Sequence, residues 1–405
     1  MDYQGIGYLR SKLASKQGRV NMRYRYYEMK NRVNDFNIVI PREWTWLTAC
    51  LGWCAKAVDS LADRLVFSHF ENDNFGINEI FNMNSRDVLV DSALLSACIA
   101  ACCFIYISKD EEGFPRLQVI DGYNATGIID PITMMLREGY AVLERDPKSN
   151  RVTREAYFTA EGTTFFDLIT GERFTLPNPA QYALLVPVIY RPDARRPFGH
   201  SRISRACMQH TQAALRTLKR SEVTAEFYSF PQKYVTGLSN DNDLMDKWQA
   251  TISSMLQFTK DEEGDKPTLG QFQQQTTGPF MEQLRIQASL FAGETGLTLD
   301  DLGFAGANPS SAEAIKAAHE NMRLTARKAQ RTFGVGLLNA GYLAASVRDD
   351  FPYFRREFYK TVPKWEPLFE PDASQLSGIG DAAIKIQQAF PNYFDDAKLH
   401  ELTGI

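Results

Sequence analysis

The sequence predicts an α+β protein, and three observations carry that expectation. Apolar residues recur at helical spacing in the first hundred positions. Between 104 and 190 the pattern changes to short runs of β-branched and aromatic residues broken by turn signals. From 201 onward helical periodicity returns, with one strand-bearing interruption. Helices on both sides of a contiguous strand region are the signature of segregated α and β elements rather than of βαβ alternation.

Residues 1–36 are polar and aromatic, with Tyr24, Tyr26 and Tyr27 set among Arg23, Arg25 and Lys30. They are expected to form one or two helices on a surface. Pro41 suits the first turn of a helix. From Trp44 to Phe67, Leu47, Leu51, Cys54, Val58, Leu61 and Leu65 recur at helical spacing and predict one long amphipathic helix. Further helical segments follow from Ile80 to Ala100. The stretch from Val88 to Ile107 is the most apolar in the chain. It holds Asp91 and two serines and ends in Phe104-Ile-Tyr-Ile107, so it reads as a buried helix running into a strand and not as a membrane span.

Strand-like runs then begin at Phe104, Leu117, Gly127, Gly139, Ala156, Thr163, Arg173 and Val186. Asp121-Gly122, Asp146-Pro147, Gly171 and Pro177-Asn-Pro179 separate them, which predicts antiparallel pairing. After a polar link at 191–200, Ser201 is the expected N-cap of a helix that Pro231 stops near Phe230. Residues 232–276 are expected to be a small mixed unit: strands at 233–236 and 269–273, a short helix at 243–255 and an acidic loop at 261–265. A helix from Phe280 to Gly293, a Gly-rich loop at 301–310 and the longest helix, from Ser311 to about Val347, complete the pattern. Two shorter helices are expected beyond Asp349.

Composition excludes several classes. The chain has 405 residues, 44% hydrophobic and 23% charged, which is a folded globular composition. Its net charge of −4 excludes a uniformly basic nucleic-acid coat. The 6 cysteines form no CxxC pair, and the 5 histidines are scattered. Cys50/Cys54 and Cys98/Cys102 read as small buried residues on helix faces, in a reducing compartment. The N-terminus is basic without an apolar core, unlike a secretory leader. No phosphate-binding loop, zinc-protease motif or strand-linked dinucleotide motif is present, and no metal or other cofactor is expected. Gly199-His-Ser201-Arg-Ile203 lacks the second glycine of a nucleophile elbow. A hydrolase built on Ser201 or a carboxylate pair is therefore the weaker reading, and a non-catalytic binding or structural role the stronger.

Four blocks together resemble the portal proteins of tailed bacteriophages. Trp53…Val58-Asp59…Leu61…Asp63-Arg64-Leu65 is similar to the family's W…VD.L.DRL helix. Val186-Pro-Val leading to Gly199-His-Ser201-Arg-Ile203 resembles its step from strand to long helix. Ala225-Glu226…Pro231-Gln-Lys233 resembles that helix's end. Asn308-Pro-Ser-Ser-Ala-Glu-Ala-Ile315 looks like the start of the long helix behind the tunnel loop. The blocks lie in family order. The chain departs at Ala101-Cys-Cys103, where the family often has a glycine.

The resemblance implies a portal fold: an α/β wing (1–200), a first stem helix (201–231), a clip (232–277), a second stem helix (278–298), a tunnel loop (299–310), a long helix back through the wing (311–348) and a short helical crown (349–405). It implies a homo-oligomeric ring of twelve subunits at the capsid vertex of the virion. Double-stranded DNA would pass through its channel, and a terminase motor, a head–tail adaptor, the major capsid protein and a scaffold protein would be its partners. It implies no membrane and no catalytic residues. The tunnel-loop residues would be Gly303, Phe304, Ala305, Gly306, Ala307, Asn308 and Pro309. The candidate DNA-proximal cations are Arg216, Lys219 and Arg220 on the first stem helix, where Arg202 and Arg205 raise the same question, and Lys316, Arg323, Arg327 and Arg331 on the long helix. There, with Lys328, they outnumber Glu313 and Glu320. A solvated, ion-paired helix face is the ordinary alternative for both sets. A capsid or tail-adaptor protein that forms no ring is the structural alternative for the whole chain.

Overall fold

The structure is a computed structural model that describes residues 4–35, 47–229, 233–236, 268–271, 276–304, 317–368, 373–390 and 393. Its contacts divide the chain into two compact units. The first comprises 1–31, 52–208 and 293–405, and the second 32–51 and 209–292.

In the first unit, α1 (Gly5–Tyr27), α2 (Trp53–Ala62), α3 (Ile77–Met83) and α4 (Arg86–Ala100) precede the sheets, with β1 (Phe67–Glu71) between α2 and α3. The helix expected over Trp44–Phe67 is thus cut to α2. Residues 47–52 are not helical and Phe67 already begins a strand, because its ring joins those of Phe70, Phe81 and Trp365. Tertiary packing overrides the helical spacing there. Likewise Cys50 is exposed, outside any helix, and Cys102 sits on a strand. Cys54 and Cys98 are the helical, buried pair.

Two antiparallel sheets form the β region. In one, β2 (Cys102–Lys109) lies between β3 (Pro115–Ile120) and β9 (Leu185–Ile189). The other is a meander in chain order: β4 (Ala125–Ile129), β5 (Leu136–Arg145), β6 (Val152–Phe158), β7 (Gly162–Asp167) and β8 (Arg173–Pro177). The strand run from 104 to 190 is therefore antiparallel as expected, but split over two sheets.

Both faces of β9 and of the first four residues of β2 are buried, so each is covered on two sides. α4 packs on β2 and β3. α7 (Glu320–Asp349) packs on β9 and β2, with the backbone of Gly336 lying close to Pro187 and Val188. α1 lies along the meander: Leu9 and Leu13 join Tyr140 and Val142 in one apolar cluster. Polar ties fix it there, since Arg10 donates to the buried carboxylate of Glu155, which also accepts from Tyr140.

Beyond α7 the chain returns as β12 (Val362–Trp365), antiparallel to β1. In sequence its single proline makes Val-Pro-Lys-Trp read as connector. A two-stranded sheet consists of edges, and Pro is tolerated there. α8 (Ala373–Ala389) accounts for one of the two helices expected after Asp349. Most residues after 390 lie outside the description.

The second unit contains most of α5 (Arg205–Ser229) and of α6 (Gly278–Thr295), and the antiparallel pair β10 (Lys233–Thr236) and β11 (Thr268–Gln271). The helix expected at 243–255 and the acidic loop at 261–265 fall outside the described residues. Asn34 donates its backbone N–H to Gln212, and the Gln212 amide donates back to the Arg32 carbonyl, at 3.0 and 2.8 Å, so residues 32–35 run along α5. His210 and Gln287 link α5 to α6 at 3.0 Å.

Candidate nucleic-acid interface

α5 begins at Arg205, later than Ser201. Ser204 supplies the cap: its Oγ accepts from the N–H of Cys207, while Ser201 Oγ accepts from the N–H of Ile203 and donates to the carbonyl of Ile99 at 2.6 Å. With its proton committed to a carbonyl, Ser201 has no base to activate it. His200 turns instead to Asp193, 2.6 Å away, and its hydrogen bond holds that carboxyl below the usual carboxylate range. The geometry needed for nucleophilic catalysis, base against nucleophile, is not formed by these two neighbours.

The turn before Ser201 depends on Gly199. It has φ +74°, and a Cβ there would stand 2.1 Å from the carbonyl oxygen of Tyr190. That close approach positions Arg202, whose N–H donates to Cys98 O and whose buried guanidinium donates to the carbonyls of Ala57 and Thr295. Arg202 thus ties α2, the end of α6 and the α4 terminus together. It is a buried staple and not a channel cation. Spacing alone groups it with surface arginines because its partners are main-chain atoms far away in the chain, which no local pattern reveals.

Lys219 is also tied within the chain. It is 3% exposed, and its ammonium donates to Asp35 Oδ2 at 2.6 Å, so its charge is already paired. Arg216 and Arg220, in contrast, are half-buried, and Arg216 reaches the Asn34 carbonyl at 3.4 Å.

On α7, Arg323 donates twice to Glu320 at 2.7 Å, which holds the Glu320 carboxyl below its ordinary pKa. Arg327, Lys328 and Arg331 are exposed. Arg327 and Arg331 line a cavity of about 480 Å³ together with Arg355, Pro363 and Trp365. Burial pushes the Arg355 pKa down, and its Nε donates to Asn339. Three guanidinium groups around one concave surface are suited to phosphate oxygens by their planar donor geometry.

Of the loop candidates, Gly303 and Phe304 are described. Asp300–Leu302 is a turn of 3₁₀-helix and Gly303 follows it at φ +89°, a conformation that favours glycine. Ala305, Gly306, Ala307, Asn308, Pro309 and Lys316 lie outside the described residues. Among the described residues no cluster of three His, Cys, Asp or Glu side chains could hold a metal, and no helix is long and apolar enough to cross a membrane.

No model of a known protein family matches the chain. It is 25% identical over 335 residues to the portal protein of Mycobacterium phage L5, covering 76% of this chain and 67% of that protein. It is also 25% identical over 339 residues to the portal protein of Mycobacterium phage D29, with the same coverage. Among solved structures, a neck of an empty gene transfer agent particle superposes with a TM-score of 0.46 at 12% identity, covering 87% of this chain and 90% of that one.

Proposed function

We propose that this chain is a phage portal protein. In this reading copies of it close into a ring at one vertex of the capsid and DNA enters and leaves through the ring. One observation carries the proposal: the similarity to two phage portal proteins runs through 76% of the chain instead of through one motif. The order of elements supports it. Long α5, the antiparallel pair β10 and β11, α6, a glycine-marked turn and long α7 follow one another as stem, clip, stem, tunnel loop and wing helix would.

In this reading 1–200 form the wing, 201–231 and 278–298 the stem helices, 232–277 the clip, 299–310 the tunnel loop, 311–348 the helix back through the wing and 349–405 the crown. The ring has twelve subunits. Its location is the virion, and its partners are the terminase motor, the head–tail adaptor, the major capsid protein and a scaffold protein. The role is structural, not enzymatic: DNA must slide, so its attraction to the wall has to be diffuse. Many tight phosphate contacts would give steep salt dependence and slow movement. A net charge of −4 with a few exposed arginines meets that need. The retained DNA-proximal candidates are Arg216, Arg220, Lys316, Arg323, Arg327 and Arg331, with Arg327 and Arg331 the foremost.

Negative-stain electron microscopy of the protein, purified alone and after co-expression with its capsid and scaffold proteins, tests the proposal. Closed rings with a central hole are expected. Particles without rings under both conditions would overturn it in favour of a non-ring adaptor.

A further inference from the structure

In the first unit, α1 turns Lys12, Lys16, Arg19 and Arg23 to one side, at spacings of four, three and four residues, which is one helix face. All four line a cavity of about 440 Å³, and Arg196 closes it from the loop after β9. That volume lies in the range of small-molecule sites.

Among the described residues no carboxylate lies within ion-pair distance of this cluster. Lys12 and Lys16 donate to the main-chain carbonyls of Gly127 and Ala125, both at 2.7 Å, and Arg23 donates to that of Ala100 at 2.9 Å. An ammonium has three donors, so each lysine keeps N–H groups beyond its carbonyl. Two acids lie nearby. Asp121 is half-buried and hydrogen-bonded to Asn124, with its pKa pushed up by burial. Asp193 accepts from the Arg196 main-chain N–H and is engaged by His200, against which the Arg196 guanidinium lies. Burial pushes the Lys16 ammonium below its ordinary pKa. Burial, with the charge of Lys16 beside it, does the same to Lys12. Gathering like charges in a partly desolvated recess is costly unless an anion completes the site.

We propose that this recess is a binding site for an oligophosphate anion, held by Lys12, Lys16, Arg19, Arg23 and Arg196. The density of charge selects the ligand class. A single carboxylate would leave most of the five cations unmatched, whereas a chain of phosphoryl groups offers several oxygens to guanidinium forks and to compact ammonium groups at once. Phe198 and Pro197 form the recess's apolar rim. The same chemistry could come from a free oligophosphate or from the phosphodiester backbone of DNA. The proposal does not depend on the portal reading, since it rests on this cavity alone.

The test is calorimetric titration of the full-length protein with sodium tripolyphosphate at fixed ionic strength. Saturable binding with one site per subunit is expected. Arg19 is exposed, so Arg19→Glu should fold normally and weaken binding by about tenfold or more through loss of a charge-assisted contact. Arg196→Glu should do the same, and Arg173→Glu, on exposed β8, should leave binding unchanged. A short DNA duplex added to the complex assigns the source. Displacement of tripolyphosphate identifies the DNA backbone, and retention identifies a free oligophosphate. No saturable heat, or equal affinity in all three variants, overturns the site. Tighter binding of hexaglutamate than of tripolyphosphate overturns the ligand class and makes the recess a dock for an acidic protein segment.

Discussion

α5 and α7 carry similar charge in sequence and use it in opposite ways. Each holds several basic residues at helical spacing. On α5, Lys219 is drawn inside by Asp35, 184 positions away, and just ahead of the helix Arg202 is drawn inside by carbonyls 145 and 93 positions away. On α7, Arg327 and Arg331 stay exposed beside a groove. Helical spacing says which residues share a face. It does not say which chain segment later covers that face, and that covering decides whether a cation is a structural tie or a surface for phosphate.

Substitution separates the two classes. Arg202→Met should have the largest effect. It removes the two hydrogen bonds that the buried guanidinium donates to the carbonyls of Ala57 and Thr295 and should cost about 3 kcal/mol, read as the shift in the denaturant midpoint. An unchanged midpoint would break the division between the helices. Lys219→Met leaves the Asp35 carboxylate without its partner and should cost about 3 kcal/mol. The double variant Asp35→Asn/Lys219→Met should recover much of that loss, because the uncompensated charge is gone. No recovery would mean that the pair is not coupled.

A smaller gain is expected at the α4 terminus, where Cys98 accepts from the N–H of Arg202. Ala101 has φ +88°, which is costly for a residue with a Cβ. Ala101→Gly should stabilise by about 0.5–1 kcal/mol, relief of strain less the entropy a glycine loses. Arg327→Ala with Arg331→Ala should leave thermal stability unchanged, since both side chains are exposed. The same pair should lower the salt slope of DNA binding by about one for each phosphate that the arginines no longer neutralise.

Ala101 also shows how far the sequence was legible. The resemblance to portal proteins marked the three-residue stretch Ala101-Cys-Cys103 as one where a glycine is common, and the structure shows that Ala101 is the residue of the three whose backbone glycine favours. The helix–strand order was legible too, because the apolar run through α4 passes into the β-branched and aromatic run of β2, and turn residues separate most of the meander strands. Three things were not. The strand β12 is built around Pro363 and exists only because β1 pairs with it. The start of α5 shifted because Ser204, and not Ser201, meets the helix's free N–H groups. The burial of Lys219 and Arg202 depends on partners that local patterns cannot name.

In the proposed portal reading this chain surrounds DNA with the exposed arginines of α7 near it, while Lys219 is paired with Asp35 inside the protomer. Photo-crosslinking in assembled, DNA-filled particles tests it directly, with a benzophenone amino acid placed at position 327, 331 or 219. The account predicts DNA adducts from 327 or 331 and none from 219. Adducts from 219 alone, or from none of the three in particles shown to contain DNA, would contradict it.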